Sequence, residues 1–315
     1  MRVSLRISLK PVCPELVEGC LLSTLARTSS RLPRIEMLSY RHAFHAGNFA
    51  DVLKHSVLTL VLDYMTRKEK GFHYIDSHSG AGMYQLNDDY AQKTGEYKNG
   101  IAKLVGEPNL PVALQPYIEL INQLNGNAEL DIYPGSPGIA KAFMRRQDST
   151  HLFELHPTDI EHLTDFCYRW KKYFVKQSDG YQGVLGLLPP PSRRGVVLID
   201  PPYELKEDYQ KAVTTIIKAY KKFATGTYIL WYPVVQRSRV DEMQNNFING
   251  EVKNVLQLEF CLSEDSEEYG MTGTGLFIVN PPWQLAQQMS EALPYLKEKL
   301  GSDETHFTVK QLVIE

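Results

Sequence analysis

The sequence predicts an α/β protein built on a doubly wound parallel sheet, and three observations carry that reading. Short apolar, β-branched runs alternate with longer segments of helical spacing. The first such run opens into a glycine-bearing turn, Asp76-Ser77-His78-Ser79-Gly80-Ala81-Gly82. A later one, Val196-Val197-Leu198-Ile199, is apolar throughout, as a strand buried on both faces must be, and it delivers Asp200-Pro201-Pro202-Tyr203.

Residues 1–36 stand apart from the rest of the chain. They hold six Lys or Arg, three Glu and several Ser and Thr without sustained periodicity. A transit peptide would share the Arg and Ser, but Glu15 and Glu18 with Pro11 and Pro14 spoil an amphipathic targeting helix. Cys20-Leu21-Leu22 is too short for a secretory apolar core. The expectation is a translated leader or disordered extension, with Met37 as the true start of the working domain, 37–315.

Within 37–315, Asn48 to Lys68 has helical spacing, with Val52, Leu53, Val57, Leu60, Val61 and Tyr64 as an apolar stripe. Phe72 to Asp76 reads as a strand leading into the glycine turn. From 88 to about 130 the chain becomes polar and helix-like, broken at Gly106-Glu107-Pro108 and Pro111, and is expected to be a helical insertion with no strand of its own. Helices are expected at Gly138 to Gln147, Thr158 to Lys172, Tyr209 to Phe223, Arg239 to Ile248 and Gln284 to Leu300. Strands are expected at His151 to Leu155, Val196 to Asp200, Thr227 to Tyr232, Gln257 to Leu262 and Gly275 to Val279.

Composition narrows the function classes. The 315 residues are 43% hydrophobic and 23% charged, ordinary for a globular protein. The formal charge of -3 becomes -6 for 37–315, so nucleic acid could be held only through a local basic face. Cys13, Cys20, Cys167 and Cys261 have no paired spacing, which argues against a disulfide scaffold or zinc ribbon and fits a reducing cytoplasm. No apolar run approaches the ~20 residues that span a bilayer, so no membrane role is expected.

The glycine turn and the acidic residues beyond it point to a ligand. A dinucleotide fingerprint would want a third glycine where Gln85 stands, which weakens nicotinamide or flavin binding. Asp76, four residues before Gly80, suits a ligand carrying an amino group, as S-adenosyl-L-methionine does. Glu154 ends the next strand and could accept from both ribose hydroxyls, while Asp179-Gly180, read as a loop, could meet the adenine amine.

Asp200, Pro201 and Tyr203 are the candidate catalytic residues. An exocyclic amine is a poor nucleophile because its lone pair is delocalised into the ring. The Asp200 carboxylate and the Pro201 carbonyl, both acceptors, could draw its hydrogens and stabilise the positive charge that develops on nitrogen. Consecutive prolines stiffen the loop, and Tyr203 offers a face on which a base stacks, worth ~1–3 kcal/mol. A bare Asp-Pro-Pro turn after a buried strand is the bland alternative.

These residues closely resemble the RlmJ-type 23S rRNA (adenine-N6)-methyltransferase family. The resemblance runs through Met37 to His42, His45 to Asn48, Asp51 to His55, Asp76 to Gly82 and Thr94 to Tyr97. It continues through Tyr133 to Pro137, Glu154 to Pro157, Asp200 to Tyr203, Trp231 to Val235 and Asn280 to Trp283. It covers essentially all of 37–315 and none of 1–36.

The resemblance implies a Rossmann-like class I methyltransferase fold with a small helical insertion, acting as a monomer on protein-free 23S rRNA with no obligate protein partner. It implies that His55, His78, Ser136, Glu154, Asp179 and Gly180 bind S-adenosyl-L-methionine, that S-adenosyl-L-homocysteine is the product, and that Tyr40 touches RNA. Ser77 and Ser79 stand where the family pattern has Thr and Ala.

His42, His45 and His55 could suggest a metal, but cysteine partners and a fourth ligand are lacking nearby, so no metal is expected. Arg41 and the pair Arg193-Arg194, read as close to Asp200, are the candidate phosphate contacts. A target amine inside a helix would have to be flipped out. Two alternatives remain: a methyltransferase acting on another amine (adenine in DNA, cytosine or protein glutamine), or an idle RNA-binding protein on the same fold. Glutamine is disfavoured because enzymes of that kind usually carry Asn at the position of Asp200.

Overall fold

The computed structural model describes residues 41–126, 129–266 and 270–315. The leader expected over 1–36 and the candidate RNA contact Tyr40 lie outside the described residues.

The first helix, α1 (Phe49–Thr66), is capped by Asn48, whose side chain accepts from the Asp51 N–H at 3.0 Å. Its expected apolar stripe proves to be only part of its burial, because every residue from Ala50 to Leu62 is covered. A helix enclosed on all sides needs neighbours all round. Those neighbours come from the sheet, from the insertion and from the closing helix.

Strand β1 (His73–Asp76) is followed by β2 (Met83–Gln85), then by α2 (Asp89–Thr94) and α3 (Gln115–Leu124) of the insertion, and by β3 (Ile132–Pro134). Helices α2 and α3 fall within 88–130, and β2 and β3 pair antiparallel on either side of that segment, Tyr84 opposite Tyr133, tying its two ends together. The chain then alternates α4 (Ser136–Phe143), β4 (Ser149–Phe153), α5 (Pro157–Cys167), β5 (Tyr173–Lys176), α6 (Gly180–Leu187) and β6 (Gly195–Ile199). It closes with α7 (Glu207–Lys222), β7 (Thr227–Val234), α8 (Arg237–Ile248), β8 (Val255–Cys261), β9 (Gly273–Val279), α9 (Leu285–Leu300) and β10 (His306–Val313).

Eight strands form one sheet in the order β10-β8-β9-β7-β6-β1-β4-β5. The five from β7 to β5 are parallel, and β9, β8 and β10 extend the sheet by antiparallel pairing. Both faces are covered. Val196 and Leu198 of β6 join the core around α1, α4, α5 and α9, whereas Val197 and Ile199 join the core under α6, α7 and α8. From β1 the chain proceeds outward to β4 and β5, then crosses back to β6 on the other side. That reversal opens a crevice beyond the carboxyl ends of β1 and β6, the position at which such sheets bind ligands.

Candidate active site

Asp76 ends β1 at the floor of the crevice, fully buried. Its Oδ2 accepts from the Ser136 hydroxyl at 2.6 Å and from the Tyr74 hydroxyl at 2.8 Å. Burial pushes its carboxyl up to about 7, against the pull of those two hydrogen bonds and with help from the charge of Asp200.

The glycine turn is held by Glu154. Its Oε2 accepts from the Gly80 N–H at 2.8 Å and its Oε1 from the His156 N–H at 2.7 Å. Burial raises the Glu154 carboxyl, and those backbone bonds offset part of the rise. Gly80 has φ +58, and a Cβ there would stand 2.2 Å from the Tyr84 hydroxyl, so the turn requires glycine.

Asp179 and Gly180 correct one sequence expectation: they begin a helix rather than a loop. Asp179 caps α6, accepting from the N–H groups of Tyr181 at 2.8 Å and Gln182 at 3.2 Å. Gly180 lets this helix touch the turn, since a Cβ would lie 1.8 Å from the Ser77 carbonyl oxygen. His78 bonds the Ser77 hydroxyl at 2.7 Å and sits edge-on to Tyr181; burial lowers its imidazole to about 4 and leaves it neutral.

The structure therefore gathers His78, Gly80, Ser136, Glu154, Asp179 and Gly180 around one turn. His55 reaches the same end from α1 but lies beneath the surface, 1% exposed, with Nδ1 2.6 Å from the Tyr133 hydroxyl and Nε2 3.9 Å from Asp51. Burial drops it to about 3, so it too is neutral.

Asp200 emerges from β6 beside this cluster with a partner that motif reading missed. Lys54 of α1 places Nζ 2.6 Å from Asp200 Oδ2 and 2.9 Å from Asp51 Oδ1, itself 3% exposed. Its ammonium also lies 5.4 Å from the centre of the Trp231 ring. Asp51 in turn accepts from the Gly47 N–H at 2.9 Å and pairs with His42 at 2.9 Å. Burial works to raise Asp51, yet the electrostatic pull of His42 and Lys54, with the His42 hydrogen bond, outweighs it and holds the carboxyl well below its usual range. A signal was present: Asp51, Lys54 and His55 share one helical face and interrupt an otherwise apolar helix.

Tyr203, at φ +53, is half-buried, its ring centre 4.5 Å from that of Tyr209 and 5.7 Å from that of Trp231, and its hydroxyl donates to the Trp231 carbonyl at 2.5 Å. Pro201 is buried and Pro202 partly covered.

Arg193 and Arg194 are not where they were expected. They precede β6, at the amino end of the strand that carries Asp200 at its carboxyl end, about 20 Å of extended chain away. Arg194 is a structural clamp whose guanidinium donates to the carbonyls of Met65, at 2.8 Å, and Lys70. Arg41 lies at the crevice end of the sheet, bridging Tyr90 of α2 at 3.3 Å and Thr158 of α5 at 3.4 Å. Of the three histidines weighed as metal ligands, the other two pair with carboxylates, His42 with Asp51 and His45 with Glu96, each at 2.9 Å.

The sheet order, the glycine turn and the Asp-Pro-Pro-Tyr end of β6 define a class I methyltransferase fold. Comparison with known proteins specifies it further. The family model for ribosomal RNA large subunit methyltransferase D, RlmJ, matches residues 69–313. Ribosomal RNA large subunit methyltransferase J of Escherichia coli is 47% identical over 280 residues, 89% of this chain and 100% of that protein. The Haemophilus influenzae protein of the same name is 48% identical over 270 residues, 85% of this chain and 96% of its own. A crystal structure from Legionella pneumophila superposes with a TM-score of 0.79 at 39% identity, covering 85% of this chain and 98% of that one. The chain belongs to the RlmJ family of ribosomal RNA large subunit methyltransferases.

Proposed function

We infer that this protein transfers a methyl group from S-adenosyl-L-methionine to the exocyclic N6 of an adenine in 23S rRNA. The observation that carries the reading is the Asp-Pro-Pro-Tyr segment on β6, set beside the Gly80 turn and braced by Lys54.

The crevice fits the donor. Each Glu154 oxygen is already fixed by one backbone N–H and, as a carboxylate oxygen, has further acceptor capacity for ribose hydroxyls. Asp76 and Ser136 offer acid and hydroxyl to the amino-acid part, and Asp179 with Gly180 to the base, with His78 alongside and His55 packed behind Tyr133. When bound, S-adenosyl-L-methionine supplies an electrophilic methyl and leaves as S-adenosyl-L-homocysteine.

The protein's work is on the nucleophile. Lys54 fixes Oδ2 of Asp200, so Oδ1 is the oxygen offered to the adenine amine. Asp200 and the Pro201 carbonyl draw the two N–H groups, concentrate electron density on nitrogen and stabilise the charge that appears as the C–N bond forms. The methylated nitrogen then loses a proton to Asp200 or to water. Tyr203, held by Tyr209 and Trp231, is the stacking partner for the base.

The protein works as a monomer in the cytoplasm on protein-free rRNA, with no metal. Among the described residues no helix is long and apolar enough to cross a membrane. Tritium transfer from labelled donor to naked 23S rRNA, assembled large subunits and duplex DNA tests the reading. Label in N6-methyladenine of naked rRNA is expected; label in DNA alone, or none despite donor binding, would refute it.

A further inference from the structure

The end of the sheet opposite the crevice holds a concentration of positive charge. Four loops meet there: 67–72 after α1, 144–148 after α4, 168–172 after α5 and 190–194 before β6. Together they hold ten Lys or Arg against two carboxylates, Glu69 and Asp148. The rest of 37–315 is left with 18 basic and 32 acidic side chains.

The loops are laced into one surface. Arg145 donates to the carbonyls of Thr66 and Lys68 at 2.7 and 2.8 Å, Lys172 to that of Gln147 at 3.2 Å, and Arg194 to those of Met65 and Lys70. Asp148 is buried and turned inward, accepting from the Phe72 N–H at 2.9 Å and from Arg145. Most of the other cations, Lys68, Arg146, Arg169 and Lys171 among them, are exposed.

Two of the most exposed aromatic side chains of the described residues stand at this end. Tyr168 is 83% exposed beside Arg169. Trp283 is 75% exposed beside Gln284, which accepts from Arg67 at 3.1 Å. Exposed rings set among cations suit the bases and phosphates of single-stranded or looped RNA.

We propose that this basic pole is a second RNA-binding surface, which grips the phosphate backbone of an rRNA segment other than the one carrying the target adenine. The proposal rests on the rRNA function inferred above. It makes long RNA bind more tightly than an isolated target hairpin, and by a more salt-dependent route.

The test is the quadruple variant K68E/R146E/R169E/K171E, with donor affinity and circular dichroism as checks of folding. Dissociation constants are read across a KCl series for a full-length 23S rRNA transcript and for a short stem-loop bearing the target adenine. The variant should lose at least roughly tenfold in affinity for the transcript, and its slope of log affinity against log salt should fall by about three. Its binding and turnover on the stem-loop should be unchanged. A transcript affinity and slope equal to wild type, or an equal loss on both RNAs, would overturn the proposal. Binding is read without transfer, so a wild-type protein that binds both RNAs and methylates neither refutes the inferred function and leaves the pole standing.

Discussion

Lys54 and Asp200 are 146 residues apart in sequence and 2.6 Å apart in space, the ammonium of a buried helix resting on the carboxylate that ends β6. In the mechanism proposed above, the pair makes Lys54 a positioning residue that fixes one Asp200 oxygen and thereby aims the other. Lys54→Met should lower turnover on the order of 10²-fold, the scale of removing one preorganised electrostatic contact, with donor affinity little changed. Single-turnover methyl transfer beside donor calorimetry measures both. An unchanged rate would refute the role.

Asp200→Ala should abolish methyl transfer while donor binding stays nearly intact, because the proposed mechanism places the carboxylate at the amine and not at the donor. Turnover close to wild type in the tritium assay would remove Asp200 from the mechanism.

Glu154→Ala takes away an acceptor that faces the crevice and also releases the Gly80 N–H. Donor binding should weaken by about 1.5–3 kcal/mol, as for other hydrogen bonds to a charged group. Calorimetry giving an unaltered dissociation constant would rule out the ribose contact.

Much of this was legible in the sequence, and the reasons differ element by element. Val196 to Ile199 stood out because a strand buried on both faces has no polar position to blur it. By contrast, the expected helix ends at Lys172 and nothing is assigned to Tyr173–Lys176, since an edge strand whose apolar run is only Tyr173-Phe174-Val175, bounded by lysines, shows too little periodicity to stand out. Gly183 and Gly186 disguised α6 as a loop; what makes it helical is the Asp179 cap, a side-chain geometry that composition does not show. The closing strand β10 is half exposed and went unread beyond α9. Arg193-Arg194 was misplaced for a simpler reason: nearness in sequence to Asp200 is not nearness in space when an extended strand lies between. The Asp51–Lys54–Asp200 chain depends on a contact between α1 and β6 that no local pattern encodes.

Asp76 should give donor binding a pH dependence. Its folded pKa, about 7, lies above the ordinary value near 3.9, so between those limits the folded protein holds a proton that the unfolded chain has released. Stability therefore falls as pH rises through that window and levels off above 7. Over the same rise Asp76 becomes anionic and favours a cationic donor, so donor affinity should increase from pH 5 to 8 with a midpoint near 7. Asp76→Asn should flatten both trends. Calorimetry and thermal melts across pH read them, and an identical pH profile in the variant would contradict the assignment.

Gly180→Ala should cost about 3 kcal/mol or more, because its methyl would meet the backbone carbonyl of Ser77 rather than a side chain that can swing away. Urea unfolding measures the loss, and donor affinity should fall with it. An unchanged midpoint would mean that the turn and α6 separate freely.

The most direct test is a crystal structure with S-adenosyl-L-methionine, or an inert analogue of it, and an RNA bearing the target adenine. It should show N6 in hydrogen-bond reach of the Asp200 carboxylate and the Pro201 carbonyl, with the donor methyl carbon about 3–3.5 Å away along the line of attack. A donor seated with its methyl turned from Asp200, or a base amine bonded to neither acceptor, would contradict the account.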